Sequence, residues 1–351
     1  MRAAFLTDVE TLEVGDADLP DPKPGEVELA VAACGICGSN LHAWRHPELT
    51  ITKEKAPAPG AAGHEVAAIV ARVGDAVEHV MSGDLVVIEP NLTGACRTCD
   101  ACAIGTYWFC RERTTIPAWG FAERMVVPAG SVFAVPSNVS ADVATLAEPL
   151  ACGVHAVRTS TLATAGGGRI EGVRVAVLGA GVTGLLAVAA ARALGAESIA
   201  ITARYPHQAK AARAVGADDV IEASAEDSTD RLRSHRPQLV IEAVGGTAQT
   251  FELAIRVADR KGEVAVLGLF DERQSIDARR AVFRELRVFF PVTYGVTGGT
   301  HDFDIALEII ASDPESFSTL ITHSEPLVRV DQAFRTAADK SCGTLRVVVK
   351  P

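Results

Sequence analysis

No stretch of this 351-residue chain is apolar for long enough to cross a membrane. The Ala/Leu/Val-rich run at 185–194 is interrupted by Arg192 and falls well short of the roughly 20 residues that a helical span requires. Behind Met1-Arg2-Ala3-Ala4-Phe5-Leu6 there is no apolar core of signal-peptide length, so the sequence predicts a cytoplasmic protein with no membrane partner. Positive charge is also short. With 33 Lys and Arg against 44 Asp and Glu, the net charge of -11 repels polyanions and makes nucleic acid an unexpected partner. Internal repeats and low-complexity segments are missing. So is the signature of disorder, because hydrophobic residues make up 48% of the chain and charged residues only 22%.

That hydrophobic content is spread over more residues than one core usually serves, which predicts two domains. Short β-type runs at 26–31, 65–73 and 85–88 alternate with turn signals such as Pro22-Lys23-Pro24-Gly25 and Ser82-Gly83-Asp84, the pattern of an irregular β-rich domain. From about Val173 the texture changes. Apolar strands at 173–178, 198–202, 239–243 and 263–268 appear, with Ala-rich helical stretches between the first three. Such alternation predicts an α/β chain whose second domain is a doubly wound parallel sheet. Residues 159–172, with Gly166-Gly167-Gly168, read as a linker, and the alternation stops after Pro291. The expected division is 1–147 with 291–351 for the β-rich domain and 148–290 for the parallel sheet, the strand-like tail at 344–349 returning to the first domain.

Four of the eight cysteines crowd into one loop, and in a large chain without secretory signals such crowding points to metal rather than disulfides. Cys96, Cys99, Cys102 and Cys110 can surround one tetrahedral zinc, leaving no open position, which makes the role structural. An iron–sulfur cluster or four reduced thiols are the other readings of that spacing. A second group is more dispersed. Cys34 and Cys37 form a Cys-x-x-Cys that alone also suits a redox pair or half a zinc knuckle. Gly63-His64-Glu65 and Ala147-Glu148-Pro149 add an imidazole and carboxylates, and a mixed set of three ligands would leave one zinc position open for chemistry.

The run 34–42, the Gly63-His64-Glu65 turn, Gly83-Asp84-Leu85-Val86, the cysteine loop, Gly120-Phe121-Ala122-Glu123 and Glu148-Pro149-Leu150, in this order, resemble the zinc-containing polyol and threonine dehydrogenase branch of the medium-chain dehydrogenase/reductase superfamily. The resemblance covers essentially the whole chain. It implies a GroES-like catalytic domain joined to a Rossmann domain, two zincs per chain, and reversible hydride transfer between a secondary alcohol or polyol and a nicotinamide cofactor. Carried over by position, it makes Cys37 and His64 catalytic zinc ligands, with Glu65 or Glu148 supplying the carboxylate. It makes Ser39 and His42 a proton relay and leaves Cys34 as packing. Asn40 departs from the family, which usually carries an aspartate there; the departure weakens the charge behind a ligand without removing one.

Gly179-Ala180-Gly181-Val182-Thr183-Gly184 leaves an apolar strand and enters an Ala/Leu-rich stretch, the context in which glycines let backbone approach a pyrophosphate at a helix N-terminus. The second strand of the unit should end in an acid for NAD, yet Ala203 stands there with Arg204 beside it. A guanidinium without a neighbouring carboxylate favours NADP(H) over NAD(H). Family resemblance further implies cofactor contacts at Val244 and at Leu267-Gly268-Leu269, and a pyrophosphate contact from Arg346. The loop 43–59, with Trp44, His46, Pro57 and Pro59, is expected to shape the substrate pocket, and Phe270 and Tyr294 to close it, although Trp44 reads equally well as simple packing. A homodimer or homotetramer joined through the Rossmann domain is the implied assembly.

Overall fold

A computed structural model describes residues 1–47, 60–114, 120–163 and 168–351. The expectations for 48–59, including Pro57 and Pro59, and for the Gly166-Gly167 part of the linker lie outside the described residues. Two compact units form: Met1–Glu148 with Ile310–Pro351, and Pro149–Ile309.

The first unit opens with β1 (Arg2–Asp8) and β2 (Thr11–Asp16), an antiparallel hairpin. Then come β3 (Glu26–Gly35), β4 (Glu65–Val73), β5 (Leu85–Ile88), β6 (Arg124–Pro128) and β7 (Val132–Ala134). Val, Ile and Ala dominate these strands because branched and small side chains fit a pleated, buried surface. Leu29, Val31, Val66, Val70, Val86, Ile88, Phe121 and Met125 fill the core between them.

The second unit carries β8 (Arg174–Leu178), β9 (Ser198–Ala203), β10 (Asp219–Glu222), β11 (Leu239–Glu242), β12 (Glu263–Val266) and β13 (Arg287–Phe289), all parallel in the order β10-β9-β8-β11-β12-β13. Parallel strands covered by helices on both faces bury both sets of side chains, which is why β8, β11 and β12 are near-continuous apolar runs. The order reverses between β8 and β11, and a dinucleotide fold binds its ligand beyond the carboxyl ends of the strands at that reversal. A small hairpin, β14 (Val296–Thr297) and β15 (Thr300–His301), follows.

Residues 291–309 cluster with this second unit, whereas the change of texture after Pro291 assigns them to the first. A buried ion network explains the difference. Asp302, fully buried, accepts from Arg158 Nη1 at 2.5 Å, from His155 Nδ1 at 2.8 Å and from the Gly295 N–H at 2.9 Å. Arg158 also donates to the carbonyls of Thr297 and Thr300, so charge pairing that leaves no periodic trace in sequence ties the hairpin to this unit.

The chain then closes the first sheet with β16 (Ile321–Pro326) and β17 (Arg346–Lys350). The order there is β16-β17-β3-β4-β5-β7, with β6 also on β3. β17 pairs antiparallel with the end of β3, setting Val349 opposite Cys34 and bringing the tail beside the first cysteine motif. Among the described residues no helix is long and apolar enough to cross a membrane.

Candidate functional site

β3 ends at Gly35, and two residues later Cys37 caps the helix Gly38–Arg45 from an extended backbone position (φ -82°, ψ 159°). A helix N-terminus presents the positive end of its peptide dipoles. His64 comes from the neighbouring strand, immediately before β4, whose first residue Glu65 is paired with Gly35 at the end of β3. Gly60, Ala61 and Ala62 all have positive φ, of 81°, 42° and 56°, and this left-handed turn aims the histidine. Two alanines in that region cost roughly 1–2 kcal/mol each, strain that concentrates at functional positions.

One donor atom each from Cys37, His64 and Glu65 lies within 4.8 Å of the others. His64 Nδ1 donates to the Ala62 carbonyl at 3.0 Å, so its Nε2 is the nitrogen left for a ligand. Burial opposes charge on this imidazole. Nevertheless the hydrogen bond and charge of Cys37, with the charges of Glu148 and Glu65, push its pKa up to about 10. A site that retains a proton against burial is one whose field holds a cation. The thiol, imidazole and carboxylate found there are the donor set of an open zinc site.

The two candidate carboxylates are placed differently. Glu65, fully buried, belongs to the close cluster and pairs with Arg346 at 2.5 Å. Glu148, on the first turn of the helix Ala147–Arg158, reaches His64 through its charge. Arg346, expected at the pyrophosphate, is 3% exposed; it pairs with Glu65 and donates to the Ile36 carbonyl at 2.6 Å. Neutralising a buried acid across the β17–β3 contact occupies its guanidinium. Cys34 is fully buried, and the space beside its sulfur is so tight that a Cβ on Gly63 or Gly120 would press on it. It packs, as expected.

Ser39 and His42 stand one helical turn apart on the exposed side of the Gly38–Arg45 helix, and His46 follows His42 with ring centroids 4.9 Å apart. Trp44, by contrast, is 3% exposed, packed on Phe334 with Arg335 over its ring; it belongs to the core rather than to a pocket wall. Tyr294 is likewise a core residue, edge-on to Phe303, and Phe270 packs near Phe251. These placements give Trp44 the packing role that its sequence equally allowed and correct the expectation that Tyr294 closes a pocket: aromatic bulk is worth most where it is fully buried.

Glu89 is the residue that the motifs missed. Buried at the end of β5, it caps the short helix Pro90–Thr93 by accepting from Asn91 and Leu92 N–H groups at 3.1 and 2.6 Å. Burial, aided by the charge of Glu148, raises its pKa to about 8 despite those bonds. The available signal was an acid between an apolar strand and a proline, which marks a helix cap rather than chemistry.

The cysteine loop forms a separate cluster. Cys96, Cys99, Cys102 and Cys110 bring their sulfurs within 4.8 Å of one another, with Cys96 and Cys102 4.0 Å apart. Sulfurs on a tetrahedron of 2.3 Å zinc bonds lie about 3.8 Å apart, so the spacing fits. Thr98 Oγ1 and the N–H groups of Thr98 and Cys99 donate to the Cys96 sulfur at 3.4, 3.5 and 3.4 Å, drawing its pKa down to about 6. Burial holds the Cys102 thiol up at about 12, a cost that a metal cation would remove.

In the second unit, Gly179 leaves β8 at φ +99° and donates to Thr202 Oγ1 at 2.9 Å. Gly181 caps the helix Val182–Ala193, which begins with Val182 and Thr183, and a Cβ there would meet open space. That is where a phosphate can approach. A Cβ on Gly184 would overlap the Gly179 carbonyl oxygen, so this glycine permits helix and strand to touch. Gly246 donates to the Leu269 carbonyl at 2.6 Å, bringing the loops after β11 and β12 together at the reversal point, with Gly268 between them and Leu267 donating to Glu242. Val244 and Leu269 remain 46% and 74% exposed at the ends of these loops. At the end of β9, Arg204 is exposed and lies over the Tyr205 ring at 5.5 Å.

Residues 23–137 match the model of the alcohol dehydrogenase GroES-like domain, and residues 182–312 that of the zinc-binding dehydrogenase family. Sorbitol dehydrogenase of Bos taurus is 31% identical over 97% of this chain and 93% of its own length. L-threonine 3-dehydrogenase of Pyrococcus furiosus is 34% identical over 82% of this chain and 79% of its own. Among solved structures, a protein of Sinorhizobium meliloti described as a zinc-binding dehydrogenase, bound to NADP, superposes with a TM-score of 0.85 at 29% identity, covering 100% of this chain and 99% of its own. Galactitol-1-phosphate dehydrogenase of Escherichia coli gives 0.85 at 26% identity, covering both chains fully. With its GroES-like and Rossmann parts both matched and its family motifs in order along the sequence, this chain belongs to the zinc-containing branch of the medium-chain dehydrogenase/reductase superfamily and is an oxidoreductase of alcohol dehydrogenase type.

Proposed function

We propose that the protein oxidises a secondary alcohol or polyol reversibly with NADP(H), using one catalytic and one structural zinc. The observation that carries this reading is the meeting of Cys37, His64 and Glu65 within 4.8 Å, apart from the four-cysteine cluster. Cys37 and His64 hold the catalytic metal with one carboxylate, Glu65 and Glu148 being the alternating partners. When bound, zinc supplies the Lewis acidity that eases loss of the alcohol proton near neutral pH. Ser39 accepts that proton and His42 hands it to solvent, a role that their shared exposed helix face supports.

The dinucleotide lies on Gly179, Gly181, Val182, Thr183 and Gly184, with Val244, Leu267, Gly268 and Leu269 lining the neighbouring crevice. Arg204 meets the 2'-phosphate, and the NADP carried by the Sinorhizobium meliloti neighbour supports that preference. Names among the relatives, sorbitol, L-idonate and L-threonine dehydrogenases, support a hydroxyl-bearing carbon chain as substrate. Eight cysteines, none in a disulfide, suit the reducing cytoplasm. A homodimer or homotetramer is supported by β13, which ends its sheet as an edge strand next to exposed Val282, Phe283 and Phe290.

Metal analysis with turnover tests the central claim. Wild-type protein should hold two zincs per chain and reduce NADP with a polyol panel, while Cys37→Ala and His64→Ala should keep one zinc and lose at least about a hundredfold in kcat, as removal of a Lewis acid worth several kcal/mol demands. One zinc in the wild type, or normal turnover by these variants, overturns it.

A further inference from the structure

Cys37 and His64 are joined by a side chain that is not itself a metal donor. Asn40 is 4% exposed. Its Oδ1 accepts from the Cys37 N–H at 3.0 Å, and its Nδ2 donates to the Ala62 carbonyl at 3.1 Å. The same carbonyl accepts from His64 Nδ1 at 3.0 Å. One amide therefore grips the backbone of the thiolate residue with one end and, with the other, the oxygen that orients the imidazole. That oxygen belongs to a residue held at φ 56°, in a turn that would relax toward an ordinary alanine conformation without a restraint.

We infer that Asn40 is a positioning residue that locks the Cys37 cap and the His64 turn into one preformed metal-binding geometry through the Ala62 carbonyl. The inference rests on the zinc reading above. The wiring requires an amide, because only a group with an acceptor at one end and a donor at the other satisfies both backbone partners. A carboxylate can still accept from Cys37 N–H, but it has no hydrogen for the Ala62 oxygen and would set negative charge against it. An aliphatic side chain would lose both bonds and leave a buried N–H and carbonyl short of a partner. Asn40 thus orients the histidine at one remove, through a backbone carbonyl that its amide holds in place.

The test uses the full-length, zinc-loaded protein as wild type, Asn40→Asp and Asn40→Ala, and follows zinc release to a chelator. The four-cysteine zinc serves as an internal standard that the unit is folded. Both variants should surrender one of their two zincs at least about tenfold faster than wild type, the range seen when an outer partner of a metal ligand is removed, and release the other at the wild-type rate. Cobalt(II) placed in the labile site should show a shifted thiolate charge-transfer band in Asn40→Asp, since the cysteine–metal geometry changes even where the fold does not. If Asn40→Ala fails to fold, the isosteric Asn40→Asp carries the test alone. Wild-type release and an unshifted cobalt band in Asn40→Asp overturn the inference while leaving the zinc site standing; a wild type holding only the four-cysteine zinc overturns the zinc reading and the inference with it.

Discussion

Gly181, the cap of the helix Val182–Ala193, and Gly184, in its first turn, lie three residues apart and are glycines for different reasons. At Gly181 the backbone is ordinary (φ -71°, ψ 175°) and a methyl group would point into open space, so only a ligand can object to it. At Gly184 a methyl group would strike the Gly179 carbonyl oxygen, so the fold itself objects. Gly181→Ala should leave thermal stability within about 0.5 kcal/mol of wild type and weaken NADPH binding, whereas Gly184→Ala should cost about 1–3 kcal/mol of stability as well. Calorimetry paired with a fluorescence titration separates the two, and equal stability losses would show that the phosphate approach is misassigned. Glycines such as these are readable in sequence because their spacing is set by local backbone geometry. The partnership of Glu65 with Arg346 is not, because it joins residues on different strands of one sheet, and nothing in Thr344-Leu345-Arg346 announces which acid its guanidinium will meet. Asn40 is an intermediate case: the departure from the family pattern is visible in the sequence, but its two backbone partners appear only when the Ala62 turn is in place.

At the scale of elements, the sequence foretold the strands that are buried on both faces and missed those at the edges. β4 and β5 match their expected limits, and β8, β9, β11 and β12 fall within a residue or two of theirs. β10 and β13, at opposite edges of the parallel sheet, had no apolar run to reveal them, because an edge strand with solvent on one side needs less apolar surface and tolerates Asp219 or Arg287. The β14–β15 hairpin escaped for another reason: ion pairing secures it, and burial has consequences for pH. His301, at the end of β15, accepts from the Phe303 N–H through Nδ1 at 3.1 Å. Burial is the main cause of its pKa falling to about 4, with Asp302 opposing and Arg158 and His155 reinforcing the fall. A folded pKa below the unfolded value of about 6.5 means that the unfolded chain takes up the proton first. The stabilisation is therefore whole above about pH 6.5 and is lost as pH drops through the window toward 4, on the order of 3 kcal/mol in all. His301→Asn, which keeps an acceptor for Phe303 but cannot titrate, should flatten the fall in melting temperature over that window. A slope identical to wild type would show that His301 does not report acid unfolding.

For the whole molecule, the two cores are built from separate residue sets, one centred on Leu29, Phe121 and Phe334 and the other on Leu178, Val240 and Val264. The Gly179–Gly184 turn lies wholly in Pro149–Ile309 and both candidate metal clusters wholly in the other unit. A ligand that binds only the native state raises stability by about 2.7 kcal/mol at a hundredfold excess over Kd. On a chain of net charge -11, the additional phosphate of NADPH is repelled by the molecule at large, so any preference for it must come from a local cation. In the proposed reading that cation is Arg204, exposed at the end of β9 with an alanine rather than an acid at position 203. A charge-assisted bond worth about 1.5–3 kcal/mol corresponds to at least about a tenfold difference in Kd. At equal concentrations NADPH should therefore raise the melting temperature of the second unit further than NADH, by an amount that shrinks as salt screens the phosphate. Arg204→Asp should reverse the order, because a carboxylate repels the 2'-phosphate and accepts from a 2'-hydroxyl. Equal shifts by the two cofactors in the wild type, unchanged in Arg204→Asp, would mean that the end of β9 does not discriminate between them, and would leave the phosphate turn, which both cofactors share, as the whole basis of binding.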